Sequence, residues 1–230
     1  MKLGVRDAEV AELMDDPDCD PQRLEATLRR FDTVNRLVSG WGGLYRLRLR
    51  PYLASLGRPA RVLDLGSGGG DLVVRLAHLA GRDGLDVQWL GADPDARAIA
   101  VAHQRALPGV SFRCADAATL GAEGQRFDVV LSNHVLHHLS GAELETFADQ
   151  SLALSSGLVL HSDIRRSRLA YGLYAVGVTP FAPGTFLRTD GLRSIRRSYR
   201  RDELARALGD AWRVEAASPF RLVAVGRADA

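Results

Sequence analysis

The 230-residue chain has only two cysteines, no long apolar run and almost no net charge. Cys19 and Cys114 are far apart and cannot form a disulfide framework or a four-ligand zinc site by themselves, so we expect a reducing, cytoplasmic location. Charges throughout the first 16 residues argue against a signal peptide, and no segment approaches the roughly 20 apolar residues that a membrane span needs. A net charge of +2 gives no reason to expect nucleic acid or an anionic membrane as partner.

The N-terminal quarter of the chain is predicted to be helical. Asp20-Pro21 suits a helix N-cap followed by the first helical position, and apolar residues then recur at helical spacing at Leu24, Leu28, Phe31, Val34 and Val38. A second helical stretch follows "SGWGG". We therefore divide the chain into a helical segment over residues 1–57 and a core over residues 58–230.

The core alternates strand-like and helix-like segments, which predicts an α/β fold with a doubly wound, mostly parallel sheet. Two strand-like runs near the end, 211–218 and 220–227, are separated by little more than Pro219 and predict a hairpin that adds an antiparallel strand at the edge. The interruption at about 164–200 is a candidate insertion. The earlier predicted strands cover 60–65, 86–92, 110–114, 127–132 and 157–162.

Ligands of such sheets bind beyond the carboxyl ends of the strands, where this sequence places acids and glycines. The first strand ends in "DLGSGGGD", which fails the dinucleotide fingerprint because Asp71 occupies a position that needs a small residue. A carboxylate at that helix N-terminus would also repel a phosphate. Asp64 and Asp71 would instead favour a cationic ligand without phosphate.

The ends of the next strands favour an adenosyl group. Asp93, in Asp93-Pro94, follows Gly68 by 25 residues, the region in which a carboxylate accepts the ribose hydroxyls. Asp116 can accept from an exocyclic amine such as that of adenine, beside the backbone N–H of Ala117. A ribose, an adenine, no phosphate and a positive charge together indicate S-adenosylmethionine.

With these motifs, the chain resembles the class I S-adenosylmethionine-dependent methyltransferases over roughly residues 58–226, in "VLDLGSGGGDL", "LGADPDARAIAVA", "VSFRCADAATL" and "FDVVLSNHVLHHL". The resemblance implies seven strands with the last antiparallel. It also implies a cofactor site in which the glycine turn passes under the methionine part, Asp93 holds the ribose, Asp116 and Ala117 hold adenine, and two residues after the fourth strand contribute main-chain contacts. The full predicted cofactor set is Asp64, Gly66, Ser67, Gly68, Asp93, Pro94, Asp116, Ala117, Asn133 and His134.

Three histidines are candidates for a general base: His137 first, then His161 and His134. They follow the fourth and fifth strands, and an imidazole beside a sulfonium is biased toward the neutral form that a base requires. The spacing of His134, His137 and His138 would also suit a metal on a helix face, but no H-E-x-x-H pattern or cysteine pair accompanies it. We predict no metal, and a capping or core role for His138.

The acceptor-binding part of the site is expected from the insertion and the N-terminal helices. Tyr171, Tyr174, Phe181 and Phe186 could line an aromatic or lipidic pocket, and Arg165 or Arg188 could pair with a carboxylate or phenolate. The N-terminal segment weakly resembles the lid of the quinone-biosynthesis-type branch of the family. Trp41 and Tyr45 would then be its aromatic contacts.

The sequence therefore predicts methyl transfer to a small molecule, with oxygen of a phenolic, quinol or polyketide-like metabolite as first choice and carbon next. A nucleotide-cofactor oxidoreductase and a non-catalytic S-adenosylmethionine-binding protein are the alternatives. No basic tract with interleaved aromatic residues indicates nucleic acid. The oligomeric state is not predicted.

Overall fold

Seven strands form one sheet in the computed structural model, which describes residues 3–228. Their order is β3-β2-β1-β4-β5-β7-β6; β1 to β5 are parallel, and β7 runs antiparallel to both β5 and β6. This confirms the predicted doubly wound α/β fold. The strands are β1 Ala60–Leu65, β2 Val87–Asp93, β3 Val110–Cys114, β4 Phe127–Asn133, β5 Ser155–Ile164, β6 Arg213–Ser218 and β7 Arg221–Arg227.

The hairpin predicted an antiparallel strand at the edge of the sheet, but the antiparallel strand lies inside the sheet. β7 lies between β5 and β6, and β6 is the edge strand. The burial of the two strands explains this order: β7 is buried at five of its seven positions, whereas β6 is buried only at Val214. A strand whose residues are buried on both faces belongs inside a sheet that helices cover on both sides.

Helices cover both faces of the sheet and create two apolar cores. One core joins Trp41, Leu76 and Val129, and the other joins Leu63, Leu144 and Leu204. The α-helices are α1 Pro21–Val38, α2 Trp41–Leu44, α3 Arg50–Ser55, α4 Asp71–Arg82, α5 Ala96–His103, α6 Ala117–Ala122, α7 Gly141–Leu154, α8 Arg168–Gly177, α9 Leu187–Arg197 and α10 Arg201–Leu208. A π-helix spans Tyr45–Leu49, and 3-10 helices span Leu136–His138 and Thr179–Phe181.

Helix α1 lies next to the glycine turn at the carboxyl end of β1. The Asp20 side chain accepts hydrogen bonds from the N–H groups of Gln22 and Arg23, which confirms the predicted N-cap. A Cβ on Gly69 would lie 3.4 Å from Leu28, so α1 packs directly on the turn. Helix α1 therefore lies against the strand ends, and its role as a lid stays a prediction.

Trp41 and Tyr45, which we expected to face the acceptor, belong to the core instead. They are 0% and 1% exposed, on the sheet face that α4 covers. The Tyr45 hydroxyl donates to Asp83 Oδ2 at 2.7 Å, just beyond the C-terminus of α4 and at the opposite end of the sheet from the glycine turn. The prediction that Tyr45 contacts an acceptor at the strand ends is therefore wrong.

The insertion after β5 forms α8 and α9, and its residues Tyr174, Phe181 and Phe186 pack on α1. Phe186 is 4% exposed among Leu24 and Leu28, and Tyr174 packs with Val34 while its hydroxyl donates to the Leu187 carbonyl at 2.8 Å. These side chains hold the insertion against α1. Arg165 and Arg188 are exposed.

Candidate active site

The glycine turn after β1 has the backbone shape of a ligand cradle. Gly66, Gly68 and Gly70 all have positive φ, and the N–H groups of Gly66 and Ser67 donate to the Ala92 carbonyl. A Cβ on Gly66 would lie 2.5 Å from Val135, so the neighbouring loop requires glycine there. A Cβ on Gly68 would meet no atom within 4 Å. Gly68 therefore presents bare backbone to open space, which suits close approach by a ligand.

Buried acids beside this turn favour a cationic ligand. Asp64 is 2% exposed, and its Oδ1 has no hydrogen-bond partner among the described residues; the same holds for Ser67 Oγ. Burial raises the pKa of Asp64 well above its ordinary value, and the charges of Asp71 and Asp93 raise it further. The ammonium group of S-adenosylmethionine would supply the missing partner, and its sulfonium would offset the negative charge. These residues therefore fit the cofactor.

Asp71 at the start of α4 is tied to the N-terminal helix. Asn35 Nδ2 of α1 donates to Asp71 Oδ2 at 3.0 Å. Burial raises the pKa of Asp71, while this hydrogen bond acts in the opposite direction. The bond links α1 to the glycine turn, so movement of the helix would change the surroundings of the cofactor site.

Asp93, at the end of β2, is held in place by two backbone donors. Gly68 N–H donates to Oδ2 at 2.8 Å and Asp95 N–H to Oδ1 at 2.9 Å. Each oxygen keeps a free lone pair, which suits the two hydroxyls of a ribose. Pro94 follows as an exposed residue at the rim.

Asp116 and Ala117, at the start of α6, occupy the position expected for adenine recognition. The Asp116 side chain caps α6 by accepting from Thr119 N–H at 2.8 Å, and this hydrogen bond lowers its pKa. The side chain is exposed, so a second oxygen remains available to an exocyclic amine. Helix capping and adenine binding are compatible roles for the same carboxylate.

Asn133 and His134 end β4 in a strained turn. His134 has φ 64, a left-handed conformation that costs a residue other than glycine energy and recurs at ligand sites. Its N–H donates to the Ser162 carbonyl, and its Nε2 lies 2.8 Å from Arg221 Nη1. Because a guanidinium only donates, Nε2 is the acceptor and a neutral His134 carries its proton on Nδ1.

His137 is a buried cation between two carboxylates. Its Nδ1 lies 2.8 Å from Asp163 Oδ1, its Nε2 lies 3.2 Å from Glu12 Oε1, and its side chain is 1% exposed. Burial alone would lower the pKa of His137, but the two carboxylates outweigh it and raise the pKa to about 9. In this geometry the two carboxylates favour the protonated form of His137, which has no lone pair to accept a proton, so its role as a general base stays a prediction.

His161 lies in the core and not at the exposed carboxyl ends of the strands. It is fully buried, its Nδ1 lies 2.8 Å from Ser132 Oγ, and its ring packs between Phe147 and Trp212 at centroid distances of 5.0 and 5.1 Å. Burial lowers the pKa of His161 to about 3. The structure places His161 in the core under α7, so we withdraw it as a candidate base.

An N-terminal strap, residues 3–20, covers the turn that carries His137. The strap carries Glu12, which contacts His137. It also carries Arg6, whose Nη2 donates to the carbonyls of His137 and Leu139 at 3.0 and 2.9 Å. Asp190 of α9 accepts from the N–H groups of Leu13 and Met14. The strap therefore joins the His137 turn to the insertion.

Two groups of potential metal ligands lie in this region. Glu12, His137 and His138 form one, and His134, His137 and Asp163 form the other; in each, the ligand atoms lie within 4.8 Å of one another. Both groups include His137, so an ion in either would have to displace the proton that His137 shares with its acids. The sequence-based expectation of no metal remains a prediction.

Two residues that lie near the carboxyl ends of β4 and β5 were missed from the sequence. Glu12 lies in a segment without helical or strand periodicity and gave no signal. Arg221 did give one, because the first residue of an antiparallel strand lies beside the last residues of its parallel neighbours. It pairs with Ile164 at the end of β5.

The sheet order, the glycine turn and the acids at successive strand ends are typical of the class I S-adenosylmethionine-dependent methyltransferases. In agreement, residues 62–155 match the family model of a methyltransferase domain. Ubiquinone biosynthesis O-methyltransferase of Brucella ovis is 36% identical over 120 residues, which cover 51% of this chain and 46% of that protein. The protein of the same name from Chelativorans sp. is 34% identical over 157 residues, 66% and 57% of the two chains. The chain thus spans about half the length of the curated relatives it matches.

Solved structures with similar folds are also methyltransferases. Plantazolicin methyltransferase BpumL, in complex with a pentazolic desmethylPZN analog and SAH, superposes with a TM-score of 0.64 at 14% identity, over 91% of this chain and 97% of that one. Human N-acetylserotonin methyltransferase in complex with SAM gives 0.61 at 13% identity, over 87% and 54%. At these identities the likeness is one of fold. In the described residues 3–228, no helix is long and apolar enough to cross a membrane.

Proposed function

We propose that the protein transfers the methyl group of S-adenosylmethionine to an oxygen atom of a small molecule. The observation that carries the proposal is the orphaned, buried carboxylate oxygen of Asp64 beside the bare backbone of Gly68. A cationic adenosyl ligand explains both features. The relatives named as ubiquinone biosynthesis O-methyltransferases support oxygen as the acceptor atom.

The residues of the proposed cofactor site divide among the parts of S-adenosylmethionine. Asp64, Ser67 and Gly68 hold the methionine part, Asp93 the ribose, and Asp116 with Ala117 the adenine. When bound, S-adenosylmethionine supplies an electrophilic methyl group, and the protein must hold the acceptor oxygen in line with it and exclude water. The strap and α1 cover the strand ends, which supports a lid role for the N-terminal segment.

The acceptor is proposed to be an aromatic or quinol-like metabolite. Apolar residues of α1 and the insertion pack with Leu13 and Met14 of the strap, and this apolar surface beside the strand ends would suit such an acceptor. We keep C-methylation as the second candidate, because the His137 turn and its surroundings do not distinguish oxygen from carbon. The free thiols of Cys19 and Cys114 support a reducing cytoplasmic location.

The test is turnover with S-adenosylmethionine carrying a trideuterated methyl group and a panel of phenols, catechols, quinols and aromatic acids. We expect S-adenosylhomocysteine to form together with a product whose methyl group is bound to oxygen, as identified by mass and NMR. A methyl group on carbon would select the second candidate. Cofactor binding without any turnover would favour a non-catalytic S-adenosylmethionine-binding protein.

A matched pair of variants separates cofactor binding from general charge effects. Asp93→Asn should weaken S-adenosylmethionine binding by about tenfold or more, because one carboxylate loses its hydrogen bonds to two hydroxyls. Asp86→Asn changes an exposed acid just before the start of the same strand and should leave the affinity unchanged. Equal affinity in both variants would contradict the assignment of Asp93.

A further inference from the structure

Arg221 is a buried guanidinium at the carboxyl ends of β4 and β5, and no carboxylate of the described residues touches it. It is 2% exposed and begins β7, opposite Ile164. Its Nη2 donates to Asn133 Oδ1 at 2.5 Å and Ser162 Oγ at 3.0 Å, and its Nη1 donates to His134 Nε2. All three acceptors are neutral groups. Its Nε has no partner in the described part of the chain.

The nearest acid does not neutralise Arg221 by contact. No carboxylate oxygen of the described residues lies within 4.0 Å of its nitrogens, although the charge of Asp163 acts on it through space. Asp163 is already engaged, since it accepts from the N–H groups of His137 and Ile164 and from His137 Nδ1. Burial lowers the pKa of Arg221 to about 10, so it remains a cation at neutral pH. Burying a cation that still has unpaired N–H donors costs free energy unless an anion pairs with it.

None of the three candidate histidines offers a free base in this region. His137 is protonated between its two acids, His161 lies in the core, and the Nε2 lone pair of His134 is occupied by Arg221. A neutral hydroxyl acceptor would have to lose a proton to some group during methyl transfer. An acceptor that is already ionised needs no base.

From these contacts we infer that Arg221 binds the acceptor as an oxyanion, so that the substrates are acids: carboxylic acids, or phenols and enols acidic enough to ionise near neutral pH. This inference rests on the proposed function and specifies its substrate class. A lone pair of the oxyanion forms the new O–C bond as the S–C bond breaks, and the pair of that bond stays on sulfur. No proton moves in the step, and the positive charge of the sulfonium and the negative charge of the oxyanion are both lost.

The test measures the binding of two anions and their neutral counterparts to the S-adenosylhomocysteine-saturated protein by calorimetry. The probes are benzoate with benzamide, and 4-nitrophenolate with 4-nitroanisole. We expect at least one anion to bind about tenfold or more tightly than its neutral partner, as a charge-assisted hydrogen bond would provide. Which pair shows the preference distinguishes a carboxylate acceptor from a phenolate acceptor.

Three variants assign the preference to Arg221. Arg221→Gln should abolish it, Arg221→Lys should retain part of it, and Arg227→Gln, at the exposed far end of the same strand, should leave it unchanged. If Arg221→Gln fails to fold, the wild type still gives an answer, because the affinity for 4-nitrophenol should rise with pH as the probe ionises. A wild type without anion preference, or a preference that persists in Arg221→Gln, would overturn the inference. Normal binding of S-adenosylhomocysteine in either case would leave the proposed function standing.

Discussion

The protein alone does not stabilise a negative charge on Asp64. Its carboxylate is buried, one oxygen has no partner among the described residues, and Asp71 and Asp93 are its nearest charges. Because the folded state raises the pKa of Asp64, the stability linked to this group is present below its unfolded pKa and is lost as the pH rises through the folded pKa. At neutral pH Asp64 therefore destabilises the protein without cofactor, which is typical of a residue kept for function.

Replacing this carboxylate should separate stability from binding. We expect Asp64→Asn to stabilise the cofactor-free protein by about 1 kcal/mol and to weaken S-adenosylmethionine binding, because the amide is neutral and cannot pair with the ammonium group. Thermal denaturation and calorimetry measure the two effects. The control Asp210→Asn changes an exposed acid and should alter neither quantity. A less stable variant with unchanged affinity would refute this role.

His137 is predicted to contribute to stability in a defined pH range. Its folded pKa of about 9 lies above the ordinary value of 6.5, so its contribution is complete below about 6.5 and is lost as the pH rises through 9. We expect His137→Gln to lower the free energy of unfolding by about 3–5 kcal/mol at pH 6, since Asp163 and Glu12 lose their buried partner. Urea denaturation should show this deficit shrinking by pH 9.5. A deficit independent of pH would mean that His137 is neutral.

At the scale of elements, the strap and α1 are attached to the core by different kinds of contact. Helix α1 packs by apolar side chains and by the Asn35–Asp71 hydrogen bond. The strap has no regular secondary structure; Leu13 and Met14 pack against the same cluster as α1, and its polar contacts include those from Arg6 to backbone carbonyls and from its own amides to Asp190. Segments without regular secondary structure open more readily than packed helices.

Asp190→Ala should release the strap without moving α1. The N–H groups of Leu13 and Met14 would lose their acceptor, so we expect their amide hydrogens to exchange roughly tenfold faster or more, with α1 amides little affected. Hydrogen exchange resolved by NMR or mass spectrometry measures both segments. Asp202→Ala, on the exposed start of α10, is the control. Unchanged exchange at Leu13 and Met14 would show that other contacts hold the strap.

Sequence patterns predicted the elements whose residues follow a regular period and missed those held by distant partners. The parallel strands are buried on both faces and are therefore continuous apolar runs, and the Asp20 cap indicates the start of α1. The strap has no such period. The charge of His137 depends on Asp163, 26 residues away, and on Glu12, 125 residues away, so only the fold reveals that this histidine is a cation.

At the scale of the whole molecule, the carboxyl ends of the strands carry two groups of charged residues that lie on different strands. The carboxyl ends of β1 and β2 collect the acids Asp64 and Asp93, which suit a cation. The ends of β4 and β5, with the start of β7, collect His134, His137 and Arg221 around one acid, Asp163. The doubly wound topology creates this division, because the end residues of adjacent strands lie next to one another at the carboxyl end of the sheet.

The most direct test of the account is parallel calorimetric titration of the wild-type protein with S-adenosylmethionine and with NAD. The central claim is that the acids around the glycine turn select a cationic adenosyl ligand and reject a pyrophosphate. We expect S-adenosylmethionine to bind at one site per chain and NAD to give no binding heat. Binding of NAD without binding of S-adenosylmethionine would contradict the account.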